Sequence, residues 1–182
     1  PYCSGHSIGR LLKIGWKTPT VISRPARHFD TFVDHVANYL ITLQHYFTGA
    51  QALSSVEWYA APFIRSDNLS FVNVKQNIQR LLFNLNYPTR IGLQTPFTNF
   101  TVTLDAPKKM IEEDRAIYGG VEAEPLGAYY DEAKTFFLAL TKLYGEGDAS
   151  GQPFTFPIPT LMTTAKMIWS EPEVYEAVFR VA

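Results

Sequence analysis

The sequence predicts a mixed α/β fold, rich in helix, and three observations carry that expectation. Between Lys75 and Asp105 an apolar stripe at helical spacing gives way to one alternating run. Two more long helical stripes occupy residues 29–47 and 126–144. The stretch GQPFTFPIPT (residues 151–160) holds Pro153, Pro157 and Pro159, which forbid a helix and force an extended path.

The first observation is the most specific. Ile78, Leu81, Leu82 and Leu85 recur at three- and four-residue spacing and make one buried face. Pro88 ends that helix, because proline pushes the residue before it out of the helical region, and Gly92 offers a pivot. From Thr98, Phe100, Val102 and Leu104 alternate with Asn99, Thr101 and Thr103, the period of a strand. Its polar side is either the wet side of a surface strand or the lining of a barrel lumen that holds a small polar ligand.

From the N-terminus, a short helix is expected from Ile8 to Ile14, stopped by Gly15. Thr18-Pro19 and Arg24-Pro25 then frame a connector. Phe29, Phe32, Val33, Val36, Leu40, Leu43 and Phe47 stripe one long helix. Gly49 breaks it, and GAQALSSVEWYAAPFIR reads as a second helix ending before Pro62, its small residues permitting close packing. Ser66-Asp67-Asn68 is a turn, and Ser70 is placed to cap the next helix. Residues 106–128 are the most polar part: Lys108, Lys109, Glu112, Glu113, Asp114 and Arg115 read as a solvated face and Gly119-Gly120 as a loop. A helix follows from Leu126 to Tyr144, ended by a flexible loop at Gly145, Gly147 and Gly151. Phe154, Phe156 and Ile158 suggest a short strand at a sheet edge or barrel rim. Ser170-Glu171-Pro172-Glu173 caps a last helix over Pro172 to Phe179.

Composition excludes several functions. With 182 residues, 46% hydrophobic and 18% charged, the chain has enough apolar content for a sizeable core and is not disordered. A net charge of −1 gives no basic field for a nucleic-acid backbone, although a nucleotide monomer needs only a few local groups. Cys3 is the one cysteine, so no intrachain disulfide and no cysteine-rich zinc site is expected. The sequence opens at Pro1 with no basic or apolar leader and has no apolar run of about 18 residues, so a cytoplasmic, non-membrane protein is expected. Asn68 and Asn99 match the glycosylation pattern by chance on that reading.

The candidate chemistry is sparse. Cys3 fits a small buried hydrophobe or a reactive thiol, with His6 three residues on as a base. Ser54, Ser55 and Glu57 have no histidine at a convincing spacing, which excludes a hydrolase triad. His28 and His35 sit seven apart, too far for the tight ligand spacing of a metal site, and His45 lies elsewhere; no metal is expected. Arg24, Arg27 and His28 precede a helix N-terminus, either as solvated surface or as a phosphate-binding group. The consecutive carboxylates at 112–114 splay around a helix and cannot share one substrate atom.

Four runs, in order, add a resemblance: GAQALSSVEWYAAPFIR, QNIQRLLFNLNYPTR, QTPFTNFTVTLD and GQPFTFPIPT. Together they resemble the catalytic subunit of the anaerobic, glycyl-radical (class III) ribonucleoside-triphosphate reductases. The resemblance implies a helix-rich segment from the first half of a ten-stranded α/β barrel, with residues 1–182 as one incomplete piece of the catalytic domain. It implies removal of the ribose 2′-hydroxyl of ribonucleoside triphosphates by radical chemistry, for DNA synthesis. It implies a catalytic role for Cys3 in reducing the ribose, and not for His6. Gln94, Thr95, Asn99 and Thr101 become pocket lining, and Ser23, Arg24 and Arg27 approach nucleotide. No cofactor is expected on this segment. The family's glycyl radical, the S-adenosylmethionine/iron-sulfur activase that installs it, the ATP-cone, the thiyl cysteine of the finger loop and the C-terminal zinc site belong to other parts or partners. ATP and deoxynucleotide effectors and a homodimer are implied for the full protein. The alternatives are another glycyl-radical enzyme and a non-catalytic split-gene interaction module.

Overall fold

The computed structural model describes residues 2–181; Pro1 and Ala182 lie outside the described residues. The chain runs β1 (Ser4–His6), α1 (Gly9–Ile14), β2 (Trp16–Lys17), β3 (Ile22–Ser23), α2 (Phe29–Leu43), β4 (Gln51–Ser54), α3 (Val56–Ser66) and α4 (Phe71–Asn86). It continues through β5 (Thr98–Val102), α5 (Lys108–Glu112), β6 (Arg115–Tyr118), β7 (Val121–Pro125) and a 3₁₀ turn (Leu126–Tyr129). α6 (Tyr130–Glu146), β8 (Ile158–Leu161), α7 (Ala165–Ser170) and α8 (Pro172–Phe179) complete it. No helix among the described residues is long and apolar enough to cross a membrane.

β1, β4, β5 and β8 form one parallel sheet in chain order. Parallel neighbours need a crossover, and the helices that supply it cover one face only. On that face Gln51, Leu53, Thr98, Phe100 and Val102 are buried. α2, α3, α4 and α6 pack over it around Phe29, Phe32, Phe63, Phe136 and Phe137, all at 1% exposure or less. Phe32 and Phe63 stack at 5.0 Å, and Phe136 meets Phe29 edge-on at 6.4 Å. The alternation expected from Thr98 is present, with Asn99 and Thr101 only half-buried on the other face.

The expectation that GAQALSSVEWYAAPFIR forms one helix ending before Pro62 is corrected. Gln51–Ser54 is strand β4, and α3 runs from Val56 through Pro62 to Ser66. β4 lacks β-branched residues, so local propensity hides it; pairing with β1 and β5 on both sides defines it. Pro62 removes one backbone donor from α3, yet the residue is buried among the helices, and packing outweighs the loss. The polar region is corrected too: β6 and β7 pair as an antiparallel hairpin. Gly119 and Gly120, at φ of 59° and 86°, supply the left-handed pair that its two-residue turn demands. α7 was not expected, and β8 starts at Ile158, later than the alternation of Phe154 and Phe156 suggests.

α2 ends at Leu43, short of the expected Phe47, and Leu126–Tyr129 is a 3₁₀ turn ahead of α6. Ser70 caps α4 by accepting from the Asn73 N–H at 3.3 Å. The last helix opens at Pro172 as expected, but Glu171 holds its N-cap position and makes no side-chain cap bond. Ahead of β8, Asn86 on α4 reads the chain as a second strand would. Its Nδ2 donates to the Phe156 carbonyl at 2.5 Å and to that of Leu82 at 2.7 Å, and its Oδ1 accepts from the Phe156 N–H at 3.1 Å.

Asn86→Ala leaves both Phe156 backbone groups unpaired in a part-buried setting. We expect a loss of about 1–3 kcal/mol in urea-unfolding stability, whereas Asn77→Ala, on an exposed face of the same helix, should change it little.

Candidate functional site

The helix-free face of the sheet is built in rows. Register places Gly5, Ala52, Asn99 and Ile158 side by side, and Ser54, Thr101 and Thr160 in the next row. Asn99 ties the rows together: its Nδ2 donates to the Ile158 carbonyl and to Thr160 Oγ1, both at 2.9 Å. The Thr101 hydroxyl donates to Asn99 Oδ1 at 3.2 Å. The Thr160 hydroxyl accepts there, so its proton is free for a ligand, and the face offers fixed donors and acceptors suited to a polyol.

Cys3 shares this face. The Gly49 N–H donates to the Tyr2 carbonyl at 2.9 Å and the Ser4 N–H to the Ala50 carbonyl at 3.1 Å, which extends the β1–β4 ladder across Cys3. Alternation then sets Cys3 and Gly5 on one side and Ser4 and His6 on the other. The thiol is exposed, and Cys3 Sγ accepts from the Ala50 N–H at 3.2 Å. A Cβ at Gly49 would stand 2.5 Å from that sulfur and 2.9 Å from the Tyr2 carbonyl oxygen, so only glycine fits beside it. His6 points into the helical layer, its Nε2 2.5 Å from Gln51 Oε1 and its ring edge-on to Tyr39 and Phe47. The two therefore do not pair.

Gln94 and Thr95 lie in the turn before β5, at the same end of the sheet as Cys3. The Arg90 N–H donates to the Gln94 carbonyl at 2.9 Å, and the Gln51 N–H to the Phe97 carbonyl at 2.8 Å. Ser23, Arg24 and Arg27 stand on the helical side of the sheet. Ser23 Oγ is 2.7 Å from Nε2 of His35 on α2. Burial lowers the His35 pKa, against the opposing pull of Asp34. Arg24 and Arg27 are exposed, and the Arg27 stem lies against the Gly119 turn. Cys3, Asn99 and Thr101 are thus brought to one face, Gln94 and Thr95 lie at its end, and the other three are on the opposite side.

Sequence reasoning missed Thr160, Ser54 and Arg90. The first two become legible only through register across strands; Arg90 becomes so through its place over Phe97, 5.0 Å from guanidinium carbon to ring centroid. Among the described residues no group of three or more His, Cys, Asp or Glu side chains could hold a metal ion. Two clefts of about 530 and 520 Å³ lie between α4 and residues 148–155 and between α6 and α8, away from Cys3.

The far end of β5 is gripped at three backbone points. Ser55, in a left-handed conformation at φ 59°, donates its N–H to the Thr101 carbonyl at 2.8 Å. Glu57 Oε1 accepts from the Thr103 N–H, and Trp58 Nε1 donates to the Thr103 carbonyl, both at 2.8 Å. Glu57 is fully buried and its Oε2 has no partner. Desolvation pushes its carboxyl up to about 8, offset in part by the N–H groups of Thr103 and Glu57 itself, so it is neutral at pH 7.

A parallel sheet wound in chain order, with helices on one face and a hydrogen-bonding face left open, is the architecture of an α/β barrel wall. The chain belongs to the anaerobic ribonucleoside-triphosphate reductase family, whose model matches residues 1–182. It is similar in fold to the anaerobic ribonucleotide reductase from Thermotoga maritima. The structure with dATP in the specificity site matches at 24% identity and a TM-score of 0.73, over 88% of this chain and 28% of that one. The structure with citrate in the active site matches at 24% and 0.74, over 88% and 30%, and that with dATP and CTP at 24% and 0.72, over 88% and 28%. The chain thus spans less than a third of those proteins. No curated protein sequence matches it.

Glu57 generates a pH prediction. Its folded pKa of about 8 lies above the ordinary 4.5, so its stabilising contribution is full below pH 4.5 and is lost as pH rises toward about 8. Glu57→Gln should flatten the fall in melting temperature between those values, as followed by thermal unfolding across pH; an unchanged slope would place the titration elsewhere.

Proposed function

We propose that this chain is part of the catalytic barrel of an anaerobic ribonucleotide reductase, with its open sheet face as the substrate pocket. Family membership supports the reading, and one observation carries it: the exposed Cys3 thiol and the Asn99–Thr101–Thr160 network share that face. In this reading the network holds ribose hydroxyls, with Gln94 and Thr95 at the rim. The 2′-hydroxyl leaves as water while two electrons and two protons enter, supplied in the end by formate or a dithiol protein. Cys3 takes part in that reduction. A glycyl radical installed by a radical-SAM activase supplies the radical chemistry from outside these residues, and the zinc site likewise lies elsewhere in the full protein.

Ser23, Arg24 and Arg27 belong to a separate nucleotide contact on the helical side, toward the deoxynucleotide effector and the second subunit of a homodimer. The related reductase bound to dATP and CTP fits this reading. A cytoplasmic setting follows from the anaerobic, thiol-dependent chemistry.

The test uses the full-length protein with its activase, comparing wild type with Cys3→Ser under anaerobic conditions. Deoxynucleotide formation should fall on the order of a hundredfold or more, as when a group that moves a proton in the reaction is removed. The glycyl-radical signal should persist in electron paramagnetic resonance. Unchanged turnover would make Cys3 a packing residue.

A further inference from the structure

Arg90 opens the turn ahead of β5, which Gly92 and Leu93 close at φ of 81° and 59°. Its guanidinium carbon stands 5.0 Å over the Phe97 ring, and its Nη2 donates to the Thr48 carbonyl at 3.5 Å. Phe97 lies two residues before Asn99 and so on the same face. Thr48 adjoins Gly49, the residue packed against Cys3 Sγ. The guanidinium therefore lies over the rim of the open face, between Phe97 and the Cys3–Gly49 contact.

Its protein partners are a ring and one carbonyl; among the described residues no carboxylate pairs with it. A guanidinium carries five donors in a fixed fork, and stacking on an aromatic face holds the plane while leaving an edge for a bidentate oxyanion. Lys13 and Arg180, by contrast, are engaged by carboxylates on the outer surface. We infer that Arg90 is an anion-binding residue of the open face, holding a phosphate or carboxylate oxyanion beside Cys3. The inference rests on the reading of that face as the substrate pocket and adds the charge that pocket otherwise lacks. The oxyanion comes from one of two sources, the phosphates of the nucleotide or a small free carboxylate.

The test follows alkylation of Cys3 by iodoacetamide in the full-length protein, read by mass spectrometry of its peptide, with saturating dATP present. Protection is titrated with CTP, with cytidine and with formate, in wild type, Arg90→Gln and Arg90→Lys. Loss of a bidentate charged contact should raise the half-protecting concentration of the bound anion about tenfold to a hundredfold in Arg90→Gln, with Arg90→Lys between. Cytidine should protect all three alike, which also shows that the variants are folded. A shift for CTP assigns the phosphate, and a shift for formate assigns the carboxylate. Equal protection of wild type and Arg90→Gln by both anions overturns the inference and leaves the pocket reading standing. No protection of the wild type by any probe overturns both.

Discussion

Parallel pairing of β4 with β5 is the constraint on which the rest of this structure depends. A parallel neighbour cannot be reached by a tight turn, so each strand must return through a crossover of a dozen residues or more. Here every crossover carries helices to the same side of the sheet. Leu53 and Phe100, side by side in the register and fully buried, seal that side. The opposite face is then left without a helix, and its residues need not be apolar. The polar row of β5 is a product of topology as much as of sequence.

How much of this was legible depended on where the determining contacts lie. β5 could be read because its apolar and polar residues alternate within one short run, and α4 because its stripe is local. β4 could not, since Gln-Ala-Leu-Ser carries no strand preference of its own and is a strand only because β1 and β5 bond to it. The expectation that α3 stops before Pro62 failed for the same reason: a backbone rule yielded to burial. At the site, Asn99 and Thr101 were visible as a polar face. Thr160 and Ser54 were not, because register is a relation between distant strands. A single arginine in a turn looks solvated in sequence, and only the ring beneath it says otherwise.

The grip on β5 shows how a buried acid can be used without being charged. Glu57 gives one oxygen to the Thr103 N–H and leaves the other without a partner, fully buried. An ionised carboxylate would be costly there; a neutral one still accepts the bond. With Trp58 taking the Thr103 carbonyl, the strand end is fixed from both of its backbone groups, and the polar row of the face inherits that order.

The contact between Gly49 and Cys3 also limits how this sequence can drift. Position 49 has no room for a Cβ, because the Cys3 sulfur and the Tyr2 carbonyl oxygen both stand within 3 Å of where it would lie, so the glycine is tied to the path of the neighbouring chain as well as to the thiol. A lineage that gave up the thiol would still have to keep the glycine, because the Tyr2 backbone stays in the way of a Cβ. The constraint is therefore one-sided: the sulfur can be lost with the glycine in place, but the glycine cannot be lost first.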